Sequence, residues 1–201
     1  VADVSKPQIP SQITDWFASR NWAPRRHQLE MVDAAAEGRH ALLVAATGAG
    51  KTLSGFLPTL AELITDPDFD GLHTLYISPL KALAVDVRRN LLMPVEEMGL
   101  PIRIETRTGD TPSERKARQR VRPPHILLTT PESLSLLLSH EDSLLLFAGI
   151  KRVIIDEVHA FANSKRGDLL SLSLARLQKL SPQMQRVGLS ATISDPDAYR
   201  A

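Results

Sequence analysis

The chain has 201 residues, with 24 Lys+Arg against 23 Asp+Glu for a formal charge of +1, 43% hydrophobic and 23% charged residues. These values suit one soluble domain with a sizeable core, and they exclude a disordered chain, a basic nucleic-acid coat and an acidic tail. The lack of cysteine excludes a disulfide framework, a thiolate zinc site and a cysteine nucleophile, and no apolar run approaches the ~18 residues of a membrane span, so the expected setting is cytoplasmic.

In chain order, residues 1–12 read as a loose arm, with neither the basic nor the apolar stretch of a secretory signal. Apolar, β-branched-rich runs then recur at 41–45 (ALLVA), 74–78 (TLYIS), 102–106 (IRIET), 125–129 (HILLT), 152–156 (RVIID) and 186–190 (RVGLS). Helical patterns fill intervals at 52–64, 82–92, 113–120, 133–139 and 168–180. The last has Asp168 as its N-cap and Leu170, Leu174 and Leu177 as its buried stripe. Strands that are apolar throughout and alternate with helices predict a three-layer α/β domain with a mostly parallel central sheet. The domain is expected over 21–193, with 1–20 an arm and the start of a leading helix, and 194–201 the opening of a following segment. Ligands of such sheets gather at the carboxyl ends of the strands, so function is read from the residues that come after each strand.

The first run is followed by Ala46-Thr47-Gly48-Ala49-Gly50-Lys51-Thr52 and a helix. Small residues there let backbone N–H groups close around phosphate oxygens at a helix N-terminus, with Lys51 reaching the outer phosphates and Thr52 a Mg²⁺ ion. The strict phosphate-loop pattern asks for Gly at position 45, where this chain has Ala45. The fifth run leads into Asp156-Glu157-Val158-His159. Asp156 suits the metal side, through water, and Glu157 the orientation of an attacking water. His159 has no His or Cys neighbours at ligand spacing and is not a zinc candidate; a hydrogen-bonded structural histidine is its plainer reading. Ser190-Ala191-Thr192 ends the sixth run with two hydroxyls able to bond Glu157 or His159.

ATGAGKT, DEVH and SAT, in this order and at these spacings, resemble motifs I, II and III of the superfamily 2 helicases, in which Ala often stands where Ala45 does. Pro24–Gln28 (PRRHQ) resembles the adenine-reading segment, 78–84 (SPLKALA) motif Ia, 129–134 (TTPESL) motif Ib, and Thr108-Gly109-Asp110 the short loop between them. DEVHAFANSKRGD and VGLSATISDPDA are most similar to the large helicase-related (Lhr) family, and within it to the bacterial ligase-associated DEXH-box branch. The resemblance implies a RecA-like P-loop NTPase domain, the first motor domain of an ATP-dependent DNA helicase or translocase using ATP and Mg²⁺, moving 3′ to 5′ on single-stranded DNA in repair.

Carried over residue by residue, Lys51, Asp156 and Glu157 are catalytic. Gln28, Thr47, Gly48, Ala49, Gly50, Lys51 and Thr52 hold nucleotide, Thr52 and Asp156 face Mg²⁺, and His159, Ser190 and Thr192 couple the site to the strand. Pro79, Lys81, Thr108, Gly109, Asp110, Thr130, Pro131 and Ser133 would grip one strand through backbone and hydroxyl groups without reading bases. The implied partners are single-stranded or tailed duplex DNA, no membrane, and a second RecA-like domain of the same parent chain. That domain supplies arginine fingers, and nothing after Thr192 provides it, so the expectation is a domain that hydrolyses ATP poorly alone.

Some readings stay open at this level. Five cations in Arg115–Arg122 form either a DNA stripe or a solvated surface. Trp16, Phe17 and Trp22 either flank a base or pack the leading helix. An RNA or RNA:DNA-hybrid helicase, and a nucleotide-switched binding module, share most of these motifs. A nucleotide kinase or small GTPase explains the phosphate loop but neither TTPESL nor SAT, and the chain has no N-K-x-D element.

Overall fold

The computed structural model describes residues 9–46 and 48–191, without the side chains of 81–86, 89 and 90. The arm at 1–8, Thr47, Thr192 and the segment 194–201 lie outside the described residues, as does the side chain of Lys81. The elements are α1 (Ser11–Ser19), α2 (Arg26–Ala36), β1 (Ala41–Val44), α3 (Lys51–Thr65), β2 (Thr74–Ile77), α4 (Lys81–Glu97), β3 (Ile104–Arg107) and α5 (Ser113–Val121). They continue with β4 (Ile126–Thr129), α6 (Pro131–Leu138), α7 (Ser143–Phe147), β5 (Arg152–Ile155), a 3₁₀ turn (Val158–Phe161), α8 (Lys165–Leu180) and β6 (Gln185–Ser190). Among the described residues, no helix is long and apolar enough to cross a membrane.

Among the described residues, six strands form one sheet in the order β1-β6-β5-β2-β4-β3, and every pair is parallel rather than merely most of them. Alternation along the strands feeds two cores. Tyr76, Ile126, Leu128, Ile154 and Leu189 meet α1–α4 on one face, while Leu75, Ile77, Leu127 and Val153 meet α6, α7 and α8 on the other. Right-handed crossovers explain the division: steps toward β3 run over one face and the return toward β6 runs over the other. Gly55 lets α3 lie close to the sheet, since a Cβ there would meet Leu189 Cδ1 at 3.1 Å and Ile154 Cγ2 at 3.4 Å.

Several boundaries differ from the sequence reading. The third strand is Ile104–Arg107, not 102–106. The Ile102 N–H is spent on Leu100 O (2.8 Å) and the Arg103 N–H on His125 Nδ1 (3.1 Å), so ladder pairing starts at Ile104 opposite Ile126. The last helix begins at Lys165 with Ser164 as N-cap, its Oγ accepting from Gly167 N–H at 3.1 Å. Asp168 is therefore a first-turn acid favoured by the helix dipole, not the cap. The helix read as 82–92 runs on to Glu97 through Pro94 because Leu91 and Val95 are both buried in the core. The one read from Ser133 starts at Pro131, which pre-sets the first turn. α2, which buries Met31, Val32 and Ala34, and the five-residue α7 lie outside the helical intervals read from the sequence.

Trp16 and Phe17 belong to the core, which resolves their two readings in favour of packing. The Trp16 indole N–H donates to Glu97 Oε2 at 2.7 Å, tying α1 to α4. Trp22 is half exposed and meets Trp16 edge-on at 6.0 Å, with the Arg20 guanidinium over both rings.

A polar cluster holds the amino ends of the strands. Arg152, 1% exposed, donates to Thr59 Oγ1 (3.0 Å), to both oxygens of Glu62 (2.7 and 3.1 Å) and to Gln185 Oε1 (2.7 Å). Gln185 Nε2 donates to Ala35 O, and His73 Nε2 lies 3.1 Å from Glu62 Oε2. Burial pushes the Glu62 carboxyl up, but hydrogen bonds from His73 and Arg152 outweigh it and hold the group at about 2 against an ordinary 4.5. Its stabilising contribution is therefore complete above about pH 4.5 and is lost as pH falls toward 2.

Urea unfolding of Glu62→Gln and the parent chain should show a stability gap at pH 7 that closes between about pH 4.5 and pH 2; a gap independent of pH would refute the assignment. At pH 7, Arg152→Met should cost about 2 kcal/mol, below the usual loss for a broken buried pair because Glu62 is partly hydrated.

Candidate functional site

All six strands end at one edge, and their order decides which loops meet there. β6 lies between β1 and β5, so the glycine-rich loop after β1, Ser190 at the end of β6 and Asp156-Glu157 after β5 are neighbours. Val44 is level with Ser190, and the Ala45 N–H donates to Ser190 O at 3.1 Å. That bond keeps Ala45 in extended pairing, outside the positive-φ region, and explains why no glycine is needed there. Gly48 and Gly50 are left-handed, at φ 81° and 78°, where a side chain would be strained.

Gly50 is the N-cap of α3 and offers no side-chain cap, so the first amides of the helix stay open to an anion. Lys51 is buried, and its ammonium donates to the carbonyls of Ala45 (2.8 Å) and Ala46 (3.2 Å), parked across the loop it belongs to. Thr52 follows, half-buried, in the first turn of α3.

α2 closes one side of this loop. His27 Nε2 lies 3.1 Å from Ala49 O. Gln28 is 3% exposed and accepts the Arg25 N–H at 2.8 Å, capping α2, and its Nε2 would lie 3.4 Å from a Cβ at Gly50. The residue read as touching adenine thus caps α2 and lies beside Gly50 of the phosphate loop.

Across β6, Asp156 is buried, with Oδ1 accepting the Glu157 N–H at 3.0 Å and Oδ2 accepting the Tyr76 hydroxyl. Glu157 is left-handed (φ 48°, ψ 50°), a conformation costing about 1 kcal/mol for a residue with a Cβ. The turn it makes starts the 3₁₀ segment and brings His159 Nδ1 to 2.8 Å from Ser190 Oγ and 3.4 Å from Glu157 Oε2. Ser190 therefore reaches His159, as its residue type suggested.

Among the described residues no three His, Cys, Asp or Glu side chains cluster as a metal cage. One carboxylate at Asp156 and one hydroxyl at Thr52 suit Mg²⁺, which is held by one or two protein oxygens together with phosphates and water. The residues present fit a metal that arrives with nucleotide.

The other half of the edge carries the ends of β2, β4 and β3. The Ser78 N–H donates to Thr129 O (3.0 Å), which puts Pro79 beside the 129–134 turn. Thr130 caps α6, accepting the Ser133 N–H at 3.4 Å, and its hydroxyl donates to Ser133 Oγ at 3.3 Å, with Pro131 in the first turn. The Thr108 N–H donates to Thr111 Oγ1 (2.9 Å), and Gly109 O accepts from Lys116 Nζ (2.9 Å). Thr108, Thr130 and Ser133 are buried and already bonded, whereas Gly109 and Asp110 are exposed.

Of the five cations on and after α5, three are engaged internally: Lys116 on Gly109, Arg118 on both Glu105 oxygens (2.7 and 2.8 Å) and Arg120 on Asp142 (3.1 Å). This favours the surface reading of that helix.

Two residues escaped the sequence reading. Tyr76 looked like a plain strand aromatic, yet its hydroxyl reaches Asp156. Arg107, buried at the end of β3, donates to Lys116 O at 2.8 Å and pins α5 behind the 108–110 loop. The signal for Tyr76 was a polar-tipped ring in an otherwise apolar strand; for Arg107 there was none. A groove of about 1040 Å³ runs along β1 between α2 and α8, lined by Leu42, Val44, Val158, Phe161, Leu174 and Gly188, and none of the expected site residues among those described faces it.

The DEAD/DEAH box helicase family model matches residues 25–200. The chain is 44% identical over 197 residues to an Lhr helicase of Mycolicibacterium smegmatis, covering 91% of this chain and 13% of that protein. It is 42% identical over 202 residues to the ATP-dependent helicase Lhr-Core of Methanocaldococcus jannaschii, covering 92% and 23% respectively. The solved structure of Mycobacterium smegmatis helicase Lhr bound to ssDNA and AMP-PNP matches with a TM-score of 0.84 at 42% identity, over 94% of this chain and 25% of that one. The chain spans a quarter or less of the length of these relatives.

Gln28→Ala removes the side-chain acceptor at the start of α2 and should lower stability by about 1 kcal/mol in urea unfolding. An unchanged midpoint would take Gln28 out of that cap.

Proposed function

We propose, for a chain that belongs to the DEAD/DEAH box helicase family and to its Lhr group, that it is the first motor domain of an ATP-dependent DNA helicase or translocase. The observation that carries this reading is the meeting of the glycine-rich loop, Ser190 and Asp156-Glu157 at the ends of three adjacent strands. ATP binds with its phosphates on the amides of 48–52 and its adenine toward Gln28. Lys51 exchanges the carbonyls of Ala45 and Ala46 for phosphate oxygens. Thr52 and Asp156 would hold the Mg²⁺, whose charge would offset that of the phosphates.

Glu157 takes the proton of the attacking water from a left-handed turn just past β5. His159 and Ser190, joined at 2.8 Å, carry the state of the site to β6, with Thr192 beyond. One strand of nucleic acid lies across Pro79, Lys81, 108–110 and 130–133, held through backbone N–H groups and charge and not through base edges, so binding depends on salt more than on sequence. Direction 3′ to 5′, a role in repair and a cytoplasmic setting are carried over from the family resemblance. The ssDNA and AMP-PNP in the mycobacterial relative's structure support DNA and ATP as the ligands.

The domain supplies one wall of the ATP site. A second RecA-like domain of the parent chain adds arginines that contribute roughly 10³–10⁵ in rate in comparable enzymes. The 201 residues alone should accordingly bind Mg²⁺ and adenine nucleotide weakly and turn it over slowly; strong DNA-stimulated hydrolysis by this chain would overturn the assignment. In the full-length protein, Glu157→Gln should bind nucleotide as the parent does while losing about 10²-fold or more in turnover. Stimulation of the parent by single-stranded RNA exceeding that by DNA would move the proposal to an RNA helicase.

A further inference from the structure

Asp156 is positioned by a residue that belongs to none of the motifs. Tyr76 sits in β2 opposite Ile154 of β5, so Asp156 is its diagonal neighbour two places on, on the same face of the sheet. Its ring is fully buried and stacked on Phe56, with centroids 5.2 Å apart and planes at 25°. Packing alone is satisfied by phenylalanine. The hydroxyl adds one interaction, a hydrogen bond donated to Asp156 Oδ2.

That bond matters because of how an aspartate turns. The terminal torsion of Asp is broad and roughly two-fold, so a single anchor leaves the carboxylate plane free to swing. Here Oδ1 is anchored by the Glu157 N–H and Oδ2 by Tyr76, on opposite sides of the group. A carboxylate offers about four acceptor positions, so two remain for water or a metal-bound water, now in fixed directions.

We propose that Tyr76 is a positioning residue for metal binding, aiming the free oxygen positions of Asp156 at the Mg²⁺ that accompanies ATP. This rests on the assignment of Asp156 to the metal. Outer partners of metal-facing carboxylates commonly carry 10- to 100-fold of metal affinity.

The test uses the full-length protein and equilibrium binding of fluorescent mant-AMP-PNP, titrated with Mg²⁺ and repeated in EDTA. Tyr76→Phe should raise the Mg²⁺ concentration for half-maximal enhancement about tenfold, leave affinity in EDTA unchanged, and restore ATP turnover at saturating Mg²⁺. Phe56→Leu, which loosens the same packing without touching the hydroxyl, should lower the melting temperature and leave the Mg²⁺ midpoint in place. If Asp156→Asn shifts the midpoint and Tyr76→Phe does not, the positioning role is wrong. It is also overturned if Phe56→Leu moves the midpoint as far as Tyr76→Phe. If Asp156→Asn itself leaves the midpoint unmoved, the metal assignment fails, and the proposal with it.

Discussion

A parallel strand pair cannot be closed by a tight turn, so each connection must cross a face of the sheet and every strand must finish at the same edge. With six parallel strands, this domain gathers six loop starts along one line. The order β1-β6-β5-β2-β4-β3 then sorts them: phosphate loop, Ser190 and Asp156-Glu157 on one half, the 78–79, 129–133 and 108–110 segments on the other. The boundary between halves is the β5·β2 pair, which the Tyr76–Asp156 bond crosses. At the opposite edge Arg152 ties β5 to Glu62 of α3 and Gln185 of β6, and Thr59 of α3 bonds Thr74 of β2, so both ends of the central pair are held by polar contacts. Each such contact is costly to leave half-made, which makes them determinants of one register rather than large net sources of stability.

The sequence was most legible where the residue type is forced. Gly48 and Gly50 need positive φ, and a lysine after such a turn has few other uses. The buried strands β2, β4 and β5 announced themselves as unbroken apolar runs because both of their faces are covered. Ala45 departs from the strict pattern yet fits, since its backbone is paired to β6. Boundaries were less legible where a distant partner sets them: β3 begins late because His125 takes the Arg103 N–H, and α8 begins early because Ser164, not Asp168, is the cap. Least legible were contacts made across strands. Neither Tyr76–Asp156 nor Arg152–Glu62 has any signature in local spacing, because each joins residues 80 or more positions apart.

The strand-facing half also shows why residue type alone misjudges a binding surface. Thr130 and Ser133 have the hydroxyls expected of phosphate contacts, but in the free domain those groups bond each other and cap α6, while the Thr108 N–H is spent on Thr111 Oγ1 in its own turn. Their first effect is to shape the backbone, whose amides and loop ends are then the chemistry on offer. Arg118 and Arg120 of α5 follow the same logic, since pairing with Glu105 and Asp142 spends them on holding the helix to its neighbours.

β6 follows β1–β5 along the chain and is the strand inserted between β1 and β5. Until it arrives, those two strands have no common partner, and the Ala45–Ser190 and His159–Ser190 bonds have only one end. On a ribosome the phosphate loop and the acidic turn therefore emerge long before the strand that brings them together. Two open strand edges stay exposed meanwhile, a template for pairing with the wrong chain. A nascent chain that has not yet made β6 carries the glycine-rich loop and Asp156-Glu157 but has no strand between β1 and β5 to bring the two together.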